Sequence, residues 1–376
     1  MSEKVFRILV LNPGSNSTKV AVYENEDKIK QFSIQHSPEV IASFSSAVYD
    51  QYEYRLDCIE KGLKEQGIDI HDFDAFAGRG GFFATGVKSG TYKVNDLMVE
   101  GLKHPTSEHI ANIGGILAKH FADQAGVNAY VTDPTCVDEM PEIGRVSGFA
   151  GFERLPKWQP LSHKATARKI SRLLGVKYTD INLITAHLGG GITVAAHEKG
   201  RVIDVNNGLD GDGPFSADRP GQVPIRELIR YCFDSGKTKE EVIKTFISKG
   251  GLFSYFGTVS TIEIEKMAAE GNKRAALILE AMAYCIAKEI GSDATVLKGQ
   301  VDAIALTGGI ANSQYITSRI KERVRFIAPV FIYPGESEME ALALGALRDL
   351  TGEEKAYEFT GPDPDCLAEA KEKIWL

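Results

Sequence analysis

One pattern of apolar and polar positions occurs twice in this chain. Phe6-Arg7-Ile8-Leu9-Val10-Leu11 is an apolar run that breaks at the small polar stretch Asn12 to Lys19 and resumes as Val20-Ala21-Val22-Tyr23. Half a chain later, Ile181 to Ala186 breaks at Gly189-Gly190-Gly191 and resumes as Ile192-Thr193-Val194. Each reads as a strand, a tight bend and a second strand. A bend of small residues leaves backbone N–H groups open to an anion, although glycine also punctuates ordinary turns.

The same reading extends along both halves. Ile29 to Ile34 predicts a third strand, and Ser37-Pro38-Glu39 opens a helix whose apolar positions Ile41, Phe44, Val48, Leu56, Ile59 and Leu63 run to a stop at Gly67. A strand at 74–77, irregular chain from Gly78-Arg79-Gly80-Gly81, a helix from about 108 to 125 and a strand at 129–132 complete the first half. The second half predicts strands at about 181–187, 191–197 and 201–206, a helix opened by Pro224, and one capped by Thr238 with Glu241 in the capping-box position. A long helix at 273–297 follows, then a strand at 302–306, a turn at Thr307-Gly308-Gly309-Ile310, a helix at 313–325, a strand at 330–333 and a last helix around 338–350. Both halves therefore read β-β-β-α-β-α-β-α, mixed sheets covered by helices. The boundaries are expected near residues 1–150 and 151–337, with a C-terminal helix at about 338–376 packing back on the first. The tail from Glu353 is polar and carries no visible chemistry.

Composition narrows the chemistry. The 376 residues are 43% apolar and 25% charged, with 51 acids against 43 bases and a net charge of −8. An acidic chain without a basic tract has no footprint for nucleic acid, so any bound anion is held by local groups. Five scattered cysteines, none spaced as C-x-x-C, fit reduced thiols. No apolar stretch approaches a membrane span, and the expected location is the cytoplasm.

Three ordered motifs now carry a resemblance. Asn12-x-Gly14-Ser15-x-Ser17-x-Lys19 resembles the first phosphate turn of the acyl kinases, and Ala186-His187-Leu188-Gly189-Gly190-Gly191 their second. Thr307-Gly308-Gly309-Ile310-Ala311-Asn312-Ser313 is similar to their adenosine loop. The resemblance spans about residues 5 to 350. It implies a duplicated ribonuclease H-like, two-lobed fold of the acetate and sugar kinase, heat-shock ATPase and actin superfamily, with ATP/ADP and Mg²⁺ as cofactors. It also implies a homodimer or higher oligomer.

Within that family's pattern, Arg79 and Arg219 fall at the substrate and transition-state arginines. Asp133, at a strand end, resembles the catalytic aspartate, and it could equally cap its turn. Glu338 resembles the glutamate that helps hold Mg²⁺, with Glu336 as the alternative. His109, or else His104, takes the place of a first-half histidine. His163 is a third candidate, His187 orients the glycine turn, and Gln159 replaces a histidine of the acetate kinases. The segments Ala77-Gly78-Arg79-Gly80-Gly81-Phe82 and Pro214-Phe215-Ser216-Ala217-Asp218-Arg219 look like butyrate kinases. Gly80 and Gly81 stand where acetate kinases have valines, which predicts space for a longer acyl chain, walled also by Trp158, Pro214 and Phe215.

The expected activity is reversible transfer of the γ-phosphoryl of ATP to butyrate, isobutyrate or another short branched acid, giving an acyl phosphate and ADP. A broad acetate or propionate kinase and a non-catalytic ATPase switch are the alternatives. A dehydrogenase misread from its glycines would show in a nicotinamide assay; G-x-x-x-x-G-K-[ST] and an intact G-x-G-x-x-G are both missing.

Overall fold

A computed structural model describes residues 4–45, 47–210, 212–335 and 337–362. The described chain divides into two units. One runs up to Glu139 and resumes at Ser337; the other runs from Met140 to Gly335.

The first unit opens with β1 (Arg7–Pro13), β2 (Ser17–Glu24) and β3 (Asp27–Gln35), an antiparallel meander in which Asn12 faces Lys19 across the first bend. Helix α1 (Pro38–Ser43) is capped by the Ser37 side chain on Val40 N–H. It ends where Phe44 turns extended, so the expected continuous helix is two: α2 (Tyr52–Glu65) begins after a 3-10 turn at Val48–Gln51. Helix α1 buries no residue. Strand β4 (Ala75–Gly78) follows. The stretch read as irregular contains β5 (Thr91–Lys93) and α3 (Asp96–Lys103). The helix expected from 108 begins as α4 (Gly114–Ala125), preceded by a 3-10 turn at Ile110–Ile113 that His109 caps, and leads to β6 (Asn128–Thr132).

The second unit holds α5 (Glu142–Arg145), α6 (Pro160–Leu173), β7 (Asn182–Leu188), β8 (Ile192–Glu198) and β9 (Arg201–Val205). Then come α7 (Ile225–Asp234), α8 (Lys239–Ser248, with the Thr238–Glu241 capping box formed), α9 (Gly251–Phe256) and α10 (Thr261–Ala269). It closes with α11 (Lys273–Val296), β10 (Ala303–Gly308), α12 (Gln314–Val324) and β11 (Val330–Pro334). The chain then returns to the first unit as α13 (Glu338–Thr351) and β12 (Tyr357–Glu358). The tail is thus not idle: β12 pairs with β5, and Phe359 is buried against Phe83.

The duplication is visible in the sheets. The second sheet has the order β11-β10-β7-β8-β9, and the first repeats it as β6-β4-β1-β2-β3, extended at one edge by β5 and β12. In each, the first strand of the hairpin is central and pairs in parallel with the next. Close contact at two glycines fixes the first unit's site. A Cβ on Gly78 would collide with the backbone of Gly114, which brings the end of β4 onto the start of α4; a Cβ on Gly345 would collide with Thr132, which seats α13 on β6. In the second unit one sheet face (Ile184, Ala186, Leu188, Ile192, Val194, Ala196) packs on α11 and α12. The other face sets Thr185, His187, Thr193 and His197 among Leu183, Ala195, Ala303 and Ala305, and it too is buried.

Candidate active site

Short connections at the C-terminal ends of β1 and β4 place the first group of side chains. Arg79 leaves β4, Asn12 lies at the end of β1, and Glu338 opens α13. Arg79 Nη1 donates to both oxygens of Glu338, at 2.6 and 2.7 Å, and Asn12 Nδ2 donates to one of them at 2.7 Å. His109 belongs to the same electrostatic neighbourhood. Burial, then the charge of Arg79, pull its pKa down to about 4, with Glu338 opposing. The ring is neutral at pH 7. Ala111 N–H donates to its Nδ1 at 3.1 Å, so the ring proton sits on Nε2. His104 is elsewhere, exposed on α3 beside Glu100. Glu336 lies outside the described residues.

Asp133 follows β6 with φ +40°, a left-handed conformation that aspartate tolerates. It is 3% exposed; its Oδ1 accepts from Gly90 N–H at 2.8 Å and its own N–H donates to Gly90 O at 2.9 Å. The turn-cap arrangement is therefore present, whatever else the second oxygen does.

The first bend is held tightly: Gly14 N–H donates to Ser17 O at 2.7 Å. Ser15 is exposed, and Ser17 and Lys19 are half-buried. Gly80 and Gly81 do not open a pocket, which corrects the expectation placed on them. A Cβ on Gly80 would lie 2.7 Å from Pro134 Cβ, and one on Gly81 would lie 2.6 Å from Asn112 Cα and collide with its side chain. Buried Asn112 fills that space, its Oδ1 accepting from Phe82 N–H at 2.9 Å. These glycines exist for close backbone packing, and their vacant side is not a wall for an acyl chain.

In the second unit, the glycine bend between β7 and β8 lies beside Arg219. A Cβ on Gly191 would be 3.4 Å from Arg219 Nη1 and one on Gly190 3.8 Å. Asp218 Oδ1 accepts from that nitrogen at 3.0 Å, and Leu209 O accepts from Nε at 3.2 Å. His187 sits beneath the bend, its Nε2 2.9 Å from where a Gly189 Cβ would be, and its Nδ1 shares a 2.9 Å bond with Ser162 Oγ. Gly308 has φ +89° and lies against Leu188 backbone, whereas Gly309 has open space beside it. Ile310 is buried, and Asn312 Nδ2 donates back to Gly309 O at 2.9 Å. Pro214 is buried and Phe215 packs against the core.

Trp158 and His163 belong to the interior. Trp158 is 5% exposed, its ring tilted against that of His163 with centroids 5.4 Å apart. His163 spends both nitrogens on buried hydroxyls, Nδ1 with Thr185 Oγ1 at 2.5 Å and Nε2 with Thr193 Oγ1 at 2.7 Å. It is excluded from contact with a substrate. These bonds are part of a longer chain that pattern reading missed. Tyr178 OH meets His197 Nδ1 at 2.7 Å, and His197 Nε2 meets Thr185 Oγ1 at 2.7 Å. At the far end Thr193 Oγ1 donates to Gln159 Oε1 at 2.5 Å. Burial holds both imidazoles well below 6.5, hence neutral, so one donor direction runs from Tyr178 to Gln159. The Gln159 oxygen thereby accepts from Thr193, and the amide keeps its NH₂ as a donor.

A second missed residue is Arg55, fully buried on α2 behind the first bend. Its signal was legible: Arg55 lies four residues before Ile59 on the buried face of a helix otherwise marked by Leu56, Ile59 and Leu63.

Among the described residues no group of three His, Cys, Asp or Glu side chains is placed to cage a metal. That does not conflict with Mg²⁺ carried on a nucleotide, which takes most of its ligands from phosphates and water and one or two from carboxylates. No described helix is long and apolar enough to cross a membrane. The described cysteines are free thiols, and Cys366 lies outside the described residues.

Comparison with known proteins agrees with this architecture. An acetate kinase from Porphyromonas gingivalis superposes with a TM-score of 0.74 at 19% identity, over 93% of this chain and all of that one. A propionate kinase from Francisella tularensis subsp. tularensis gives 0.69 at 19% identity, over 90% and 98%. A ROK family protein from Streptococcus pneumoniae gives 0.50 at 14% identity, over 93% and 100%. At these identities the likeness establishes a fold, the mixed α/β fold of those acetate kinase, propionate kinase and ROK structures. In sequence, the acetokinase family model matches residues 159–329, the greater part of the second unit.

Proposed function

We propose that the protein is a carboxylate kinase, transferring the γ-phosphoryl of ATP to a short-chain fatty acid, butyrate or a branched relative, and catalysing the reverse. The observation that carries this reading is Arg219 beside the glycine bend at 189–191, a guanidinium held by Asp218 and Leu209 against backbone without side chains, inside the segment that matches the acetokinase family.

A carboxylic acid substrate has a pKa near that of a Glu side chain, about 4.3, and is already ionised at pH 7. It needs no general base. The barrier is repulsion between two anions, so the work falls to positioning and positive charge. Arg219 neutralises the oxygens of the transferring group. Asn12, Ser15, Ser17, Lys19 and the glycine bend seat phosphates, and the NH₂ of Gln159 supplies a neutral donor where acetate kinases have histidine. Arg79 holds the substrate carboxylate, for which Glu338 is its stand-in partner, and neutral His109 donates from Nε2. Asp133 and Glu338 are the residues that would hold Mg²⁺, through water, and the ion would add neutralising charge at the phosphate oxygens. The segment from Gly308 to Asn312 takes the adenosine.

A second reading is a kinase of acetate or propionate. It gains from the packing of Gly80 and Gly81, which removes a geometric reason for a longer acid and leaves butyrate resting on the sequence around the two arginines. Acyl hydroxamate formation with ATP, Mg²⁺ and acids of two to five carbons separates these, beside a nicotinamide absorbance control. Product from no acid, with ATP hydrolysis retained, would instead fit a non-catalytic switch.

A further inference from the structure

Arg55 is 0% exposed, and among the described residues no carboxylate pairs with its guanidinium. Its partners are oxygens of the first bend and of its own helix start. Nη1 donates to Gly14 O at 2.9 Å and to Thr18 Oγ1 at 3.3 Å, Nη2 to Ser15 O at 2.8 Å, and Nε to Gln51 Oε1 at 3.1 Å. Every peptide bond here is trans, and in a trans peptide unit the C=O and N–H point in opposite directions. Pulling the carbonyls of Gly14 and Ser15 inward therefore turns the N–H groups of Ser15 and Asn16 outward. Both residues are exposed, and neither N–H finds a protein acceptor among the described residues.

A buried cation without a counter-charge is costly to maintain. Burial does lower the pKa of Arg55, to about 10, which still leaves it charged at pH 7. Its basic neighbour avoids doubling the charge: His36, bonded to Thr18 Oγ1 at 2.8 Å, is pulled down to about 4, first by burial and then by Arg55. The result is one unbalanced positive charge directly behind two outward amide donors.

We propose that Arg55 is a positioning residue for a phosphate seat, fixing the first bend so that Ser15 N–H and Asn16 N–H receive the terminal phosphates of a nucleoside triphosphate, whose charge balances the guanidinium. This rests on the kinase reading and assigns within it a residue that touches no substrate. The charge acts through the two peptide groups it polarises.

The test is calorimetric binding of ATP and of adenosine to the wild type and to Arg55→Lys, whose single ammonium cannot span both carbonyls. The expected result is a fall of at least about tenfold in the ratio of ATP to adenosine affinity, with adenosine affinity within about twofold and kcat reduced. A mere brace would lower the unfolding midpoint and leave that ratio alone, so an unchanged ratio in a folded variant overturns the proposal. Should Arg55→Lys not fold, the wild type decides: ¹⁵N-labelled amides of Ser15 and Asn16 should shift saturably with inorganic tripolyphosphate, and static amides overturn the proposal. Amides that respond in a protein phosphorylating no carboxylic acid would sink the kinase reading and leave the seat standing.

Discussion

Arg79 Nη1 reaches both carboxylate oxygens of Glu338, at 2.6 and 2.7 Å, across 259 positions of sequence. The side chains are 20% and 13% exposed, so the pair is only partly screened by water. Glu338→Ala removes the acceptor of Arg79 and of Asn12 together. Hydrogen bonds to charged groups contribute about 1.5–3 kcal/mol, and residual exposure places this loss at about 1–2 kcal/mol. Urea unfolding should show it, with Glu338→Gln intermediate. Indistinguishable midpoints for wild type and Glu338→Ala would mean that the pair does not form in solution.

Arg219→Ala should lower kcat by about 10²–10³ while the affinity for ATP changes little, because its charge is needed most as the phosphoryl group separates. Steady-state kinetics with ATP varied at saturating acid makes the distinction. A variant with near-normal turnover would place Arg219 outside the chemistry, as a loop arginine paired with Asp218.

Gly81→Ala should destabilise the first unit by about 1–3 kcal/mol or more, since its methyl group has to displace Asn112 from Phe82 N–H. Any activity that survives should fall by the same factor for acetate, propionate and butyrate. A selective loss for the longer acids would restore the view that this glycine lines the acyl pocket.

Acid should weaken the fold before most carboxylates titrate. In the native chain His36 and His109 are held at about 4, and His163 and His197 well below 6.5, burial being the first cause in each. Unfolded, they return to about 6.5 and bind protons that the native state refuses. Their contribution to stability is complete above about pH 6.5 and is lost as pH falls from there through the native values. Buried Asp293 and Glu289 are shifted upward and act oppositely, losing their contribution as pH rises. With four groups against two, denaturant midpoints should fall from pH 7 to pH 5. A flat profile would show that the histidines are not buried neutral.

The sequence disclosed the fold through its hairpins, because both faces of β1, β2, β7 and β8 are buried and their apolar runs are hard to misread. Boundaries failed where an apolar period continued through a break, as at Phe44, and where a capped 3-10 turn delayed a helix, as before Gly114. The site was half legible. Residues at strand ends and bends announce themselves by their neighbours, and Arg79, Asn12, His109 and Glu338 do converge. Thr185, His187, Thr193 and His197 share one face of β7 and β8, and polar residues in alternation ordinarily signal a face turned to water. Here α6, unseen in the sequence pattern, covers that face with Ser162 and His163. Gly80 and Gly81 mislead for the opposite reason: a missing side chain looks the same in sequence whether it leaves space for a ligand or for Asn112.

The return of α13 to the first sheet also orders events during synthesis. Residues 140–335 form a unit from one uninterrupted stretch, whereas the first unit needs a helix encoded some two hundred residues after its last strand but one. A nascent chain halted at 335 has the glycine bend and Arg219 in hand, while Arg79 and Asn12 still lack their carboxylate and β6 still lacks its cover. Domains fold as their segments leave the ribosome, so the first-made half of this protein is the last to be finished, and its cluster of Arg79, Asn12 and Glu338 assembles only in chains translated past Glu338.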